Sequence, residues 1–405
     1  MKKERRSLSR REFLKKTGVI GLGSIMTPFA RISGYGVDPA IAAEMSVPTR
    51  PFGRTGVNIS ILSLGGMFDT IGNQLLLRQA VKWGVTYWDT ANSYSGGRSE
   101  EGFGRYFQKY PEDRKKIFLV TKSGAWGQSG MTRDLNLSLE RMKTDYIDLF
   151  FIHGISRIGD VSGMKQWAEK AKSDGKIKLF GFSTHTNMEE CLSDAAKLGW
   201  IDGIMMTYNY RLMRSDRMRR AVDACSKAGI GLTAMKTQGG GAVRSDTEIE
   251  MNMAGRFLSK GFTDGQAKLK SVWENEMISS ICSQMPTLSL LMGNVQAAVM
   301  AGRLSKKDRE LLDLYAGKTA ADYCCGCTHI CEPTLSDAIP VGDMMRCLMY
   351  SRSYRDPARG KEEFRRIPPW NVSLITEADY TLAEQRCPQR MPIGKLMREA
   401  FLELA

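Results

Sequence analysis

Asp89, Tyr94, Lys122 and His153 bring together a carboxylate, a phenol, an ammonium and an imidazole. Such a set can deliver a proton to an oxygen that gains negative charge, as a carbonyl oxygen does when hydride arrives at its carbon. A free phenol, with a pKa of about 10, is a poor acid near neutrality, but a nearby ammonium favours the phenolate and lowers that value. Lys122 would supply the ammonium. A buried ammonium without a partner tends to lose its proton, so Asp89 is its natural counter-ion. His153 would hydrogen-bond the carbonyl oxygen, orienting and polarising it. Singly, each residue has an ordinary reading: a strand-end cap, a surface aromatic, a solvated charge, a core histidine. Their joint placement favours the chemical one.

Three of the four close apolar runs that read as strands: residues 85–89, 116–122 and 146–153, with Tyr94 in the loop after the first. Strand candidates begin near Ile59, Val85, Lys116, Tyr146, Ile177, Ile201, Ile230 and Ser279. They alternate with helix candidates over 73–83, 99–110, 132–143, 163–173, 187–198, 215–228 and 248–259. An eightfold alternation predicts a closed (β/α)₈ TIM barrel, in which every strand's C-terminal end faces one mouth. Leu64-Gly65-Gly66-Met67 is a tight glycine turn without the Gly-x-Gly-x-x-Gly fingerprint, so a Rossmann sheet is disfavoured. After Ala298 the pattern turns to a helical stretch, Arg303–Tyr315, and then to a cysteine-bearing tail. A boundary near 318 gives a barrel over 47–318 and a small, mostly helical, cysteine-rich domain over 319–405. Arg352–Arg366 is dense in charge and reads as a solvated helix, and Pro368-Pro369 as a break.

The chain of 405 residues has a formal charge of +14 and 42% hydrophobic content, enough for a large core. Residues 1–43 hold 9 Lys and Arg against 3 Asp and Glu, so the remainder carries 49 minus 41, or +8. No basic block interleaved with aromatics appears, which argues against nucleic-acid binding.

The quartet and its surroundings resemble the aldo/keto reductase family. Arg50-Pro51-Phe52-Gly53-Arg54-Thr55-Gly56 with Leu62-Ser63-Leu64-Gly65-Gly66 is similar to the family's opening hairpin and first strand. Asp89-Thr90-Ala91-Asn92-Ser93-Tyr94 with Ser99-Glu100 resembles its acid-to-tyrosine segment, and Ser138 to Met142 with Asp145 to Leu149 and His153 its fourth strand and preceding helix. The resemblance covers roughly residues 47–300. It implies reduction of a carbonyl, or oxidation of an alcohol, with NADP(H) or NAD(H) lying across the barrel mouth. It further implies Tyr208 stacking on the nicotinamide, with Ser183 and Asn209 holding its amide. Met205 stands where the family has a glutamine, and residues 282–300 lack the Lys or Arg it commonly uses for the adenosine phosphate. Lys236 with Gly239-Gly240-Gly241 is a substitute phosphate site, or a plain glycine loop.

Cys324-x₂-Cys327-x₃-Cys331, with Cys387-Pro388 downstream, resembles a ferredoxin-like extension found on a branch of that family, which implies a [4Fe-4S] cluster on Cys324, Cys327, Cys331 and Cys387. Cys325 competes for the first position, and zinc or disulfides are the alternatives. Cys191, Cys225 and Cys282 read as core packing. His185 is expected to border the cofactor site and His329 to be a loop residue.

Ser9-Arg10-Arg11-Glu12-Phe13-Leu14-Lys15, an apolar stretch from Gly18 to Ala30 and Ala40-Ile41-Ala42 together resemble a twin-arginine export signal over residues 1–43. The apolar stretch is shorter than the roughly 20 residues a membrane span needs. The expectation is export of a folded protein through the twin-arginine translocase to the periplasm or another extracytoplasmic space, with no stable membrane span in the mature form. Export makes a free nicotinamide pool scarce. Two other readings therefore stand beside a nicotinamide-dependent reductase: a cluster-linked enzyme exchanging electrons with a redox partner, and an exported binding protein without turnover.

Overall fold

A computed structural model of the protein describes residues 45–244, 247–300, 302–335 and 339–405. Residues 1–43, where a twin-arginine signal is expected, lie outside the described residues. An antiparallel hairpin of β1, Thr49–Pro51, and β2, Asn58–Ser60, opens the fold. Eight parallel strands then close a barrel: β3 Leu62–Gly65, β4 Tyr87–Asp89, β5 Phe118–Ser123, β6 Ile147–Ile152, β7 Ile177–Thr184, β8 Gly203–Thr207, β9 Gly231–Met235 and β10 Ser280–Gln284. β10 pairs back onto β3, completing the (β/α)₈ TIM barrel.

The apolar run expected to be one strand near Ile59 is divided between β2 and β3. Ser60 explains the break, because its Oγ donates to the Leu62 carbonyl at 2.9 Å and accepts from the Tyr87 amide at 3.0 Å. The hairpin thereby becomes a plug. Phe52 is fully buried among Tyr87, Phe118, Leu149, Phe151 and Met205, the apolar filling of the barrel. A side chain at Gly203 or Gly231 would meet its ring at 2.6 Å or 2.4 Å, so glycine is required at both. The closed end is opposite the mouth, where the polar residues gather.

The seven expected helices form within a few residues of their expected bounds, except that the one expected over 132–143 begins at Gly127. Asp264–Trp273 and Leu288–Val299 were not anticipated. The first of these starts on a capping box between Thr263 and Gln266, but buried Lys268 and Lys270 blur its apolar period. Among the described residues no helix is long and apolar enough to cross a membrane.

After the helix Lys306–Lys318, the chain builds a second apolar core from the helices Val341–Arg352, Pro357–Phe364, Thr381–Arg386 and Ile393–Leu404. Met344, Leu348, Ile375, Tyr380, Leu396 and Met397 form its centre, and Ala242 from the loop after β9 joins it. Residues 45–405 consequently form one compact unit. The helical extension lies over the barrel's mouth.

Candidate active site

Asp89 ends β4 and Lys122 lies near the end of the neighbouring β5, so the pairing of these strands sets their side chains together. The Lys122 Nζ donates to Asp89 at 2.7 Å, to the Thr90 carbonyl at 2.7 Å and toward the Tyr94 hydroxyl at 3.5 Å. The Cys282 thiol on β10 donates to the same carboxylate at 3.7 Å. Tyr94 reaches the mouth on a tight turn, in which Ser95, Gly96 and Gly97 all adopt positive φ. That turn is tied to the barrel: Asn92 N–H donates to the Lys122 carbonyl at 2.9 Å, and Arg141 donates to the Asn92 carbonyl at 3.0 Å while pairing with Glu100 at 3.2 Å. His153 follows β6 directly, its backbone N–H donating to the Ser123 carbonyl at 2.8 Å. Its ring meets that of Tyr94 edge-on with centroids 5.6 Å apart. The structure thus brings the four residues into one cluster.

Burial alone would depress the Lys122 ammonium, but Asp89, with Tyr94 and Cys282, raises it above an ordinary lysine, so it stays charged. Burial also pushes the Tyr94 phenol above its usual value, with Lys122 pulling down and Asp89 adding to the rise. This corrects the expectation of a lowered phenol: desolvation outweighs the ammonium. Burial and then the cations Lys122, Arg346, Arg366 and Arg359 hold His153 well below an ordinary histidine, so the imidazole is neutral. The proton delivery expected of this set, to a carbonyl oxygen under reduction, would use a protonated phenol and a neutral imidazole. Because the first is lost only on the alkaline side of about pH 10 and the second only below about pH 6.5, kcat/KM for reduction is expected to be flat between these limits. A pH–rate profile checks this, and a midpoint near neutrality would contradict it.

The mouth is roofed by the extension. Arg346 and Tyr350 come from the helix Val341–Arg352, Arg359 and Glu363 from Pro357–Phe364, and Arg366 from just beyond. With Tyr94, His153 and His185 they line a cavity of about 240 Å³. The run expected to be a solvated helix over 352–366 is therefore a shorter helix that faces the site, with Arg359 only 8% exposed. Sequence reasoning missed these residues. The only signal was the basic excess that remains after the first 43 residues are removed.

The proposed cofactor contacts fare unevenly. Ser183 is buried at the end of β7, where its Oγ accepts from the Gly154 amide at 3.0 Å and keeps its own proton to donate. Tyr208 turns away from the mouth, its hydroxyl accepting from Asn275 Nδ2 at 2.8 Å before β10. The Asn209 amide donates to the Lys236 carbonyl at 3.2 Å and the Tyr323 hydroxyl at 2.9 Å, and its oxygen accepts from Arg211 N–H at 3.0 Å. Lys236 donates to the Tyr350 hydroxyl at 2.7 Å. A Cβ at Gly240 would meet the Tyr354 ring at 2.7 Å, and one at Gly241 the Asp322 carbonyl at 2.1 Å. The extension packs on one side of the glycine loop, while Gly239, Gly240 and Gly241 also line a cavity of about 260 Å³ with Arg211, Gln238 and Lys268. His185 does border the mouth, its Nδ1 lying 3.1 Å from Thr207 Oγ1, and it too is neutral through burial and the Lys236 charge.

Cys324, Cys325, Cys327, Cys331 and Cys387 line one small apolar cavity of about 20 Å³. All nine cysteines are free thiols. Burial pushes Cys324 up to about 12 and Cys327 up to about 11, with neighbouring sulfurs adding to the rise. Among the described residues no group of three or more His, Cys, Asp or Glu side chains is arranged to hold a metal ion. The cysteine loop presses on the barrel: Asn187 N–H donates to the Gly326 carbonyl at 2.7 Å, and a Cβ at Gly326 would lie 2.3 Å from the His185 carbonyl. His329, expected to be a loop residue, lies in the short helix Thr328–Cys331 and its Nδ1 is 2.8 Å from Asn187 Oδ1.

Comparison with known proteins agrees with this geometry. An aldo-keto reductase of Schizosaccharomyces pombe, named for NADP(+), is 32% identical over 157 residues, 34% of this chain and 46% of its own length. One from Fusarium vanettenii is 26% identical over 233 residues, 46% of this chain and 62% of its own. The chain spans only about half to two thirds of these relatives' length. The solved structure of an aldo-keto reductase from Bacillus halodurans superposes with a TM-score of 0.54 at 21% identity, covering 66% of this chain and 96% of that one, a likeness of fold. The profile described as the aldo/keto reductase family matches residues 69–281, and the chain belongs to that family.

Proposed function

We propose that the chain is an oxidoreductase that reduces a small carbonyl substrate, with Tyr94 as general acid. The observation that carries this is the Lys122 ammonium held between Asp89 and the Tyr94 hydroxyl at the barrel mouth. His153, neutral, donates to the substrate oxygen and fixes its position. Tyr94 then releases its proton to that oxygen as negative charge develops there, and Lys122 stabilises the phenolate left behind. Asp89 keeps Lys122 charged throughout. In the alcohol-oxidising direction the same phenolate, disfavoured by burial and supported by Lys122, would be the starting state.

A bound nicotinamide cofactor supplies the hydride, and NADP(H) is the form that the S. pombe relative's name supports. Ser183 offers a free hydroxyl proton to its amide end. At the rim beyond, Lys236 bonds the Tyr350 hydroxyl and Gly240 packs on Tyr354, so a dinucleotide that uses Lys236 requires the first of these contacts to part. Titration with NADPH and NADH, followed by turnover of an aldehyde panel, tests the reading. Binding and consumption of either cofactor are expected, and failure of both to bind removes it.

The thiol chemistry and spacing of Cys324, Cys327, Cys331 and Cys387, which line one cavity without yet being arranged as a metal-holding group, support four-thiolate ligation of a [4Fe-4S] cluster, with Cys325 the competitor for the first position. Anaerobic purification with iron and sulfide analysis is expected to give about four of each per chain, and a colourless zinc protein would overturn the assignment. The twin-arginine pattern in residues 1–43 supports export of the folded protein. The Lys236–Tyr350 bond and the cysteine loop against His185 favour a second reading, in which the four cysteines would hold a cluster able to supply electrons singly from a protein partner. Reduction of the aldehyde panel by a one-electron donor without nicotinamide would favour it.

A further inference from the structure

We infer that the substrate carries an anionic group, a carboxylate or phosphate, and that Arg359, with Arg346 and Arg366, receives it. This rests on the carbonyl-reduction reading and names the class of carbonyl that the site selects.

Arg359 is over nine-tenths buried, and its guanidinium carbon lies 5.9 Å from the ring centroids of both Tyr94 and Tyr350. Its Nη1 pairs with Glu362 at 2.9 Å and its Nη2 with Glu363. Its Nε has no hydrogen-bond partner among the described residues. A buried N–H of a cation left without an acceptor is costly. Here it belongs to a residue lining the reaction cavity; the Nε atom itself is covered, so an anion that displaces Glu362 or Glu363 from the guanidinium would satisfy it with a charge-assisted bond.

The other two arginines are only partly spent. Arg346 pairs with Asp343 at 2.8 Å, and Arg366 with Glu362 and Glu363 at 2.9 Å each. The extension contributes Arg346, Arg359, Arg366, Asp343 and Glu363 to the cavity wall, and Glu362 beside it pairs with two of the arginines, so three cations face three carboxylates that an anionic group would compete with. Lys122 and Asp89 cancel each other beneath. All three arginines act on His153, and Arg346 also on His185, disfavouring the charged imidazole beside the larger effect of burial, so their charge reaches the mouth despite the pairings. At about 240 Å³ the cavity suits a compact molecule. A short oxo-acid or aldehyde phosphate would set its carbonyl on Tyr94 and His153 and its charge on the roof.

Two matched pairs test this: succinic semialdehyde against butanal, and glyceraldehyde 3-phosphate against glyceraldehyde. The acid of at least one pair is expected to exceed its neutral partner in kcat/KM by about tenfold or more, and which pair responds separates carboxylate from phosphate. The ratio should fall toward one in Arg359→Gln, recover in part in Arg359→Lys, and drop less in the more exposed Arg366→Gln. Calorimetric titration with succinate and inorganic phosphate reads the site without turnover, and Arg359→Gln should weaken binding about tenfold. Equal rates within both pairs, or no binding of either anion by the parent protein, overturn the inference. So does an unchanged ratio in Arg359→Gln together with weakened NADPH binding, because the arginines would then serve cofactor phosphates. Arg359-dependent anion binding without reduction of any aldehyde would instead remove the carbonyl-reduction reading and leave the anion site standing.

Discussion

Tyr94→Phe is expected to lower kcat/KM for carbonyl reduction by about a thousandfold, within the range for loss of a general acid. The phenylalanine ring keeps the edge-on contact with His153, and the only hydrogen bond it forfeits is the 3.5 Å approach of Lys122. The melting temperature should therefore stay close to that of the parent protein. The loss should appear in kcat, because the proton moves only as the oxygen gains charge. Steady-state kinetics beside a thermal melt read both quantities, and a well-folded variant retaining more than about a tenth of the activity would rule Tyr94 out as the donor.

Lys122→Met is expected to damage the fold as well as the chemistry. Lys122 and Asp89 are 1% and 3% exposed at their side chains and 2.7 Å apart, so removing the ammonium strands a carboxylate in the barrel. Breaking a buried pair in this way costs about 3–5 kcal/mol. Adding Asp89→Asn should recover much of that stability, since the remaining pair is uncharged and of similar shape, but it should not recover activity. Urea unfolding of the two single variants and the double variant measures the coupling. If the double variant is as unstable as Lys122→Met, the cost lies elsewhere, in the bond from Nζ to the Thr90 carbonyl.

Asp89, Lys122 and His153 were legible because each closes a run of apolar residues, and a parallel barrel turns that position toward the mouth whatever else the chain does. The state of Tyr94 was not. Sequence names the ammonium beside the phenol but not the depth of burial, and burial decides the direction of the shift. Tyr208, Asn209 and Lys236 found partners in Asn275, Tyr323 and Tyr350, the last two more than a hundred residues downstream. No local pattern announces such contacts. Arg359 illustrates the same limit, since a charge-dense helix reads alike whether it faces water or an active site. Even the break between β2 and β3 turned on one hydroxyl, that of Ser60, inside the mostly apolar run Ile59 to Leu64.

The roof over the mouth also imposes an order on biosynthesis. The ribosome finishes the eighth barrel strand at Gln284, while Arg346, Arg359 and Arg366 have yet to emerge. A nascent chain halted between those points would hold the proton-delivering cluster without the residues that close it in, leaving its reactive groups open to any small aldehyde nearby. On the proposed reading, the residues that select the substrate are thus the last part of the site to be synthesised.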